Sequence, residues 1–388
     1  MKTKTSFIED LTPLRDPTLA DALQKLEDLM SQNNRVFLLG AGCSRCAGLP
    51  LTSELTDHIL KSATLKAPTK GLLTTVAKCF EGTKAVTIED YLSELVDLLA
   101  IVQRREERGA KEKSITIGKT DYTASQIEDA IDDIKQQIAK NIEEKTVDIA
   151  THREFVRLVH RTLRSGKDAS NKPTDYIILN YDTLIEDALS LEQLTYCDGF
   201  LGGPSGWWDS AGFNKEGFNG RVLKVHGSID WCLLEKDLLP RRIRPGNGLS
   251  SIVPKEKVLI WPASTKYRET QLDPYAQILN ITRAALRPNG ETQTVLTICG
   301  YSFGDTHINL EIDRALRESE ERLTVLVFTE LSKPEGQLET WMKDPKVNKQ
   351  VRIHAKGGFF HGQTAIQSKK DLPWWRFETL CHLLGGAR

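Results

Sequence analysis

The sequence predicts an α/β protein: a parallel sheet carrying a large helical insertion subdomain. Two patterns carry the prediction. Short, continuous apolar runs occur at Arg35–Leu39, Tyr176–Leu179, Arg221–Val225, Lys257–Ile260, Thr294–Cys299 and Leu323–Phe328. Such runs suit strands buried on both faces, and the helical or glycine-rich connections between them give the alternation of a parallel sheet. From about Glu54 to Gly166 that alternation stops, glycine and proline become sparse, and apolar residues recur at helical spacing.

Along the chain, Leu19, Leu23, Leu26 and Leu29 place a helix before the first strand, which ends at Gly40-Ala41-Gly42. In the insertion, Ile88, Tyr91, Leu92, Leu95, Leu98, Leu99 and Val102 form one helical stripe, and Ile127, Ile131, Ile134, Ile138 and Ile142 form another. Arg104–Lys113 mixes both charges and is expected as a solvated turn or mobile loop. Asp198–Trp208, rich in glycine and tryptophan, is expected as an irregular loop or lid. The basic run Arg241–Arg244 reads as a solvated loop. Beyond Leu331 come Val351–His354 and the aromatic cluster Trp374, Trp375 and Phe377, suited to packing on the core or on a partner. The resulting division is a core of residues 1–53 and 167–330, a helical insertion at 54–166, and a C-terminal extension at 331–388.

Composition narrows the functional classes. At 388 residues, with 39% hydrophobic and 27% charged, the chain excludes wholesale disorder, a collagen-like repeat and a disulfide miniprotein. Lys+Arg at 52 against Asp+Glu at 53 gives a net charge of -1, without the basic excess of a protein built to grip phosphate backbones, so nucleic acid is not an expected direct partner. No apolar run approaches the roughly 18 residues of a membrane span, and no signal-peptide core is evident, so a cytoplasmic location without membrane contact is expected. Seven cysteines spread through such a chain read as reduced thiols. One CxxC spacing, Cys43 to Cys46, has no second to complete a four-thiolate zinc site, and no metal is expected.

The residues that carry chemistry sit at predicted strand ends. A strand, then Gly40-Ala41-Gly42-Cys43-Ser44, then a helix is a geometry in which backbone N–H groups meet a pyrophosphate, because glycine lacks the β-carbon that would block it. A tight turn without ligand has the same pattern. The fuller run Gly40–Pro50 resembles, in its glycine, serine, glycine and proline spacing, the NAD-binding loop of the sirtuins. The resemblance continues in order through Asn180-Tyr181-Asp182, His226-Gly227-Ser228 and Gly300-Tyr301-Ser302-Phe303-Gly304-Asp305. After Pro50, Leu51-Thr52-Ser53 stands where deacylating sirtuins show Asp-Phe-Arg, and the paired CxxC motifs of their zinc ribbon are missing. The chain is more similar to the bacterial sirtuin-like group in which a helical insertion replaces the ribbon and whose characterised members hydrolyse NAD in antiphage (antiviral) defence.

That resemblance implies a Rossmann-like sheet, NAD as substrate, and cleavage of the nicotinamide–ribose bond. The reaction passes through an oxocarbenium-like centre, so the protein must orient the leaving ring and place lone-pair or negative character near the ribose. Asn180 suits the ribose hydroxyls or the attacking water. Asp182 suits the nicotinamide carboxamide or the cation, and also a helix N-cap. His226 suits acceptance of a proton near neutral pH. Gly40, Ala41, Gly42, Ser44, Gly300 and Ser302 are the expected nucleotide contacts; Asp305 suits a ribose hydroxyl or the cap of the following helix. Because unrestrained hydrolysis would drain an essential metabolite, control by self-assembly into a homo-oligomer or by a partner is expected, and the resemblance implies a HerA-type hexameric ATPase. Two other classes share these motifs: a deacylase or ADP-ribosyl transferase, and a non-catalytic NAD or ADP-ribose sensor.

Overall fold

Arg35–Leu39 (β1) is buried along its whole length, and its side chains divide between two cores, Val36 and Leu38 on one face and Phe37 and Leu39 on the other. The continuous apolar run is thus a strand with period-two alternation between two apolar layers. The computed structural model describes residues 10–83, 86–161, 172–234, 237–243, 254–259 (as backbone), 273–288 and 292–385. Within them, β1 is joined in one sheet by Thr174–Ile178 (β2), Tyr196–Cys197 (β3), Gly220–Lys224 (β4), Thr294–Cys299 (β5), Leu323–Thr329 (β6), Val351–Ala355 (β7), Gly358–His361 (β8) and Thr364–Gln367 (β9). The order is β9-β8-β7-β6-β5-β1-β2-β4-β3. Every pairing from β7 to β3 is parallel, and β8 and β9 add antiparallel strands at one edge. The protein has the expected α/β, Rossmann-like architecture.

Helices cover both faces. Tyr275–Leu286, Thr306–Glu318 and Gln337–Lys343 pack through Ile278, Ile312 and Trp341 on the Val36 face. Ala20–Met30, Ala150–His160, Leu184–Leu191 and Phe377–Leu384 pack through Leu26, Phe155, Ala188 and Leu380 on the Phe37 face. Helix Ala150–His160, counted with the insertion on sequence grounds, therefore lies under the sheet, where Phe155 meets Phe37 edge-on at 5.2 Å.

The insertion has its own apolar core, running from Leu55 to Ile138. It is built from Thr52–Leu60, Ala67–Ala77, Ile88–Glu107 and Ala124–Glu143. Each long helix starts at a capping box, with the Thr87 N–H donating to Asp90 and the Thr123 N–H donating to Gln126. Arg104–Glu107 ends the first of these helices instead of forming a loop, and a hairpin of Ser114–Ile117 and Thr120–Thr123 follows. Tyr181, between Asn180 and Asp182, packs against this core.

A second sheet, of five antiparallel strands among the described residues, was not expected as such: of its strands only the run Lys257–Ile260 was expected, and it pairs here instead of in the parallel sheet. Its long strand, Gly227–Leu234, pairs with Arg241–Arg242 and with Pro254–Leu259; Trp207–Trp208 and Phe200–Leu201 extend it. The glycine- and tryptophan-rich segment is thus not a loose lid. Gly199, at φ +84°, lies where a β-carbon would come within 2.3 Å of the Trp208 ring. The basic run is likewise structural: Arg242 is buried, 2.7 Å from Asp198 and over the Phe200 ring. Arg244 and Ile260 fall outside the described residues.

Residues 331–388 complete the main sheet. β7 pairs with β6 over five residues, Trp341 and Trp374 are fully buried, and the Trp374 indole donates to the Ala355 carbonyl at 2.7 Å. Deleting everything after Glu330 would expose the whole edge of β6, a pairing template for other chains. The truncated chain is expected to be insoluble or aggregated, as read by size exclusion and circular dichroism; a monodisperse folded product would refute this account of the C-terminal strands.

Candidate functional site

Four loops meet at the carboxyl end of the parallel strands, the edge where open α/β sheets take ligands. They follow β1, β2, β4 and β5. Since β1 lies between β5 and β2, the glycine loop after β1 is flanked on both sides. It touches the β5 loop directly: the Gly40 N–H donates to the Cys299 carbonyl at 3.0 Å and the Gly42 N–H to the Gly300 carbonyl at 3.0 Å. A β-carbon on Gly40 would lie 2.4 Å from the Gly300 oxygen, and one on Gly42 would lie 2.7 Å from its Cα. Gly300 itself has φ +66°, and its β-carbon would meet the Cys43 nitrogen at 2.5 Å. The glycines are thus required by the approach of two backbones. The N–H groups of Gly40, Gly42 and Cys43 are all engaged inside the protein, the last with the Gly40 carbonyl at 2.9 Å. Ala41–Ala47 forms 3₁₀ turns, and the first α-helix of the insertion begins only at Thr52.

The β2 loop is tied to the glycine loop by a directed chain of hydrogen bonds. Asn180 Nδ2 donates to the Gly40 carbonyl at 3.0 Å and to Ser44 Oγ at 2.6 Å, and Ser44 Oγ donates to Asp182 at 2.7 Å. A carbonyl can only accept, so this contact fixes which way the Asn180 amide faces. Its other atom, Oδ1, is buried with no hydrogen-bond partner. The second Asp182 oxygen accepts from the Leu184 N–H at 3.2 Å, at the start of helix Leu184–Leu191, whose N-cap position falls on Thr183 and not on Asp182. Behind it, the fully buried Lys224 donates from Nζ to the Asp182 carbonyl and lies 3.6 Å from Glu186. Burial pushes the Glu186 carboxyl up to about 7, against the opposing pull of Lys224.

His226 stands where the chain leaves β4 for the second sheet, with Gly227 at φ +81° making the change of direction. Both ring nitrogens are engaged: Nδ1 donates to the Leu179 carbonyl at 3.2 Å, and Nε2 lies 2.8 Å from Asp305 Oδ2. The other Asp305 oxygen is 2.6 Å from His307 Nδ1. Asp305 occupies the N-cap position of helix Thr306–Glu318 without capping it, because its carboxylate bridges the two imidazoles. The donor atoms of His226, Asp305 and His307 lie within 4.8 Å of one another, close enough to share a metal ion; here they bond to each other. Ser302 is exposed and its hydroxyl accepts from the Gly304 N–H at 3.4 Å, while Ala41, Gly42 and Gly300 are half-buried.

The structure therefore brings Gly40, Gly42, Ser44, Asn180, Asp182, His226, Gly300 and Asp305 into one connected region. Both His226 nitrogens are engaged, so the proton-accepting role expected of it requires Nε2 to be released from Asp305. Sequence reasoning missed Lys224, Glu186 and His307. A lysine within the apolar run Arg221–Val225 was the available signal for the first; nothing in the pattern marked the other two.

A parallel sheet with loops gathered at its carboxyl edge defines the open α/β class of fold, in which ligands bind outside the strand ends. Residues 174–348 match the SIR2-like domain family. The match includes Asn180, Asp182, His226, Asp305 and His307 and begins after the glycine loop. No curated protein sequence matches the chain. Among solved structures, it is similar to a Sir2 homologue in complex with NAD, at 11% identity and TM-score 0.42, covering 94% of this chain and 93% of that one. It is also similar to a mutant Sir2 homologue in complex with ADP-ribose, at 11% identity and TM-score 0.39, covering 94% and 96%.

Two substitutions test this geometry. Gly300→Ala meets both the left-handed backbone and the Cys43 nitrogen and is expected to cost about 1–3 kcal/mol in urea unfolding, whereas Gly304→Ala, with its nearest atom at 3.4 Å, should cost less. Lys224→Met leaves Glu186 buried without its cation, an arrangement that costs about 3–5 kcal/mol when the acid is ionised. The Glu186 pKa is raised on folding, so its favourable contribution is present at low pH and lost as pH rises through about 7. The Lys224→Met penalty should accordingly be larger at pH 8 than at pH 5; equal penalties would contradict the pairing.

Proposed function

We propose that the protein is a sirtuin-like NAD hydrolase. In the reaction the C1′–N1 bond breaks with its electron pair leaving on nicotinamide, a water oxygen bonds to C1′, and one proton is released to solvent alongside ADP-ribose. The observation that carries the reading is the Asn180 amide: locked by the Gly40 carbonyl and Ser44, it keeps a buried oxygen acceptor at the strand end beside the glycine loop. An acceptor held in this way orients a ribose hydroxyl or the attacking water at no further cost in side-chain ordering. His226, joined to the neighbouring Leu179 carbonyl, is the proton acceptor once its Nε2 is released. Asp182 is assigned a positioning role, since both its oxygens are occupied by Ser44 and Leu184. Ala41, Gly42, Gly300 and Ser302 line the accessible side of the loops and are assigned to the nucleotide.

The engagement of both His226 nitrogens favours a resting state that needs an external trigger. We assign that trigger to self-assembly or to a HerA-type hexameric ATPase, and the activity to a cytoplasmic effector of antiphage defence, on the resemblance of the four motifs. No metal is assigned to the reaction.

The test is loss of NAD and release of nicotinamide and ADP-ribose, followed by chromatography, with and without the ATPase and an acylated peptide. Asn180→Ala and His226→Ala, folded by circular dichroism, are expected to lose at least about a hundredfold in rate. Parental rates in both variants would overturn the assignment. Acyl-ADP-ribose in place of free ADP-ribose would make the protein a deacylase.

A further inference from the structure

We infer that His307 is a positioning residue: through Asp305 it holds the His226 ring with Nε2 closed, and a ribose hydroxyl opens the site by taking the place of Asp305 at that nitrogen. The second half rests on the proposed NAD reading; the first does not.

The inference follows from counting protons. The Leu179 carbonyl only accepts, so His226 Nδ1 carries a hydrogen. The 2.8 Å contact between Nε2 and Asp305 Oδ2 needs a second hydrogen between two atoms that otherwise both offer lone pairs. The 2.6 Å contact between Asp305 Oδ1 and His307 Nδ1 needs a third. An imidazolium at His226, a carboxylate at Asp305 and a neutral His307 protonated on Nδ1 satisfy all three contacts with no net charge. In that state His226 is an acid rather than a base. His226 and Asp305 side chains are 6% exposed and that of His307 is 21% exposed, so the trio runs from the interior toward solvent.

Both oxygens of the Asp305 carboxylate are engaged. Its own backbone is fixed by the Tyr301 hydroxyl, which accepts from the Asp305 N–H at 3.2 Å, and by the Asn309 N–H, which donates to the Asp305 carbonyl at 3.0 Å. Ionisable neighbours among the described residues include Tyr181 and Glu311. Burial, with smaller contributions from Glu89, Tyr275 and Asp305, pushes the Tyr181 phenol up. Glu311 faces His307 and is bonded to Arg283 at 2.6 Å; burial raises it, but Arg283 prevails and its pKa is lowered. Neither replaces Asp305 as the anion at His226 Nε2.

A ribose hydroxyl can donate to His226 Nε2 and accept as well, which the carboxylate cannot do. Substrate therefore exchanges an acceptor for a donor at that nitrogen, and the Nε2 proton passes to Asp305 Oδ2, while Oδ1 goes on accepting from His307 Nδ1.

The experiment follows the ring nitrogens of His226 by NMR on ¹⁵N-histidine-labelled full-length protein, assigned with His226→Gln. In Asp305→Asn the midpoint is expected to fall by about 1–3 in pH, the scale of a neighbouring opposite charge. His307→Leu, which releases the carboxylate, should move it the same way by a smaller amount; His307→Asn, which retains an N–H donor toward Oδ1, should restore the parental midpoint. Saturating ADP-ribose should shift wild type toward the Asp305→Asn value. An unchanged midpoint in His307→Leu, or no rescue by His307→Asn, overturns the positioning role. If the variants behave as expected but ADP-ribose does not bind and NAD is not consumed, the His307 assignment stands and the NAD reading falls.

Discussion

The contact on which this end of the molecule depends is the seating of Gly300 against Gly40 and Gly42, at separations that leave no room for a β-carbon on any of the three. It joins the ends of β1 and β5, strands that pair in parallel but lie far apart in sequence. Once the two loops are seated, the Gly40 carbonyl lies where the Asn180 amide can reach it, and Ser44 is brought between Asn180 and Asp182. The polar network is a consequence of backbone packing. The glycine pattern read as clearance for a phosphate also gives clearance for another loop.

Charge is arranged in two groups around that network. Lys224 and Glu186 lie beneath the β2 loop, fully buried, and act on it through the Asp182 carbonyl. His226, Asp305 and His307 lie to the side, reaching the same loop through the Leu179 carbonyl. Neither group is held by surface ion pairing, which contributes little; both depend on hydrogen bonds between buried partners, where loss of one leaves the other stranded. The two groups grip opposite ends of the short segment Leu179–Asp182, so the orientation of Asn180 is overdetermined.

Much of the sheet was legible because a strand buried on both faces announces itself as an uninterrupted apolar run, as at Val36–Leu39 and Leu323–Phe328, and the helical insertion because Ile127–Ile142 repeats at helical spacing. The second sheet was hidden because most of its strands are short and rich in tryptophan, arginine and glycine, and because the one apolar run it holds, at Lys257–Ile260, does not state which sheet it will join. The boundary at helix Ala150–His160 was misplaced because an amphipathic helix does not state which core it will cover. The site residues were found by their positions at strand ends, yet their hydrogen-bond partners were not. Nothing in a linear motif says that an aspartate at a helix start will turn away from the backbone toward two imidazoles.

The passage from β4 into Gly227–Leu234 has a mechanical consequence. In the two residues between those strands the main chain passes from one hydrogen-bonded ladder to another of opposite sense, and the His226 ring sits on that crossover. It is a fulcrum between two plates. The two residues that carry this change of ladder, Val225 and His226, are the covalent link between the sheets at this point, so a difference in the angle between the sheets would have to be taken up there.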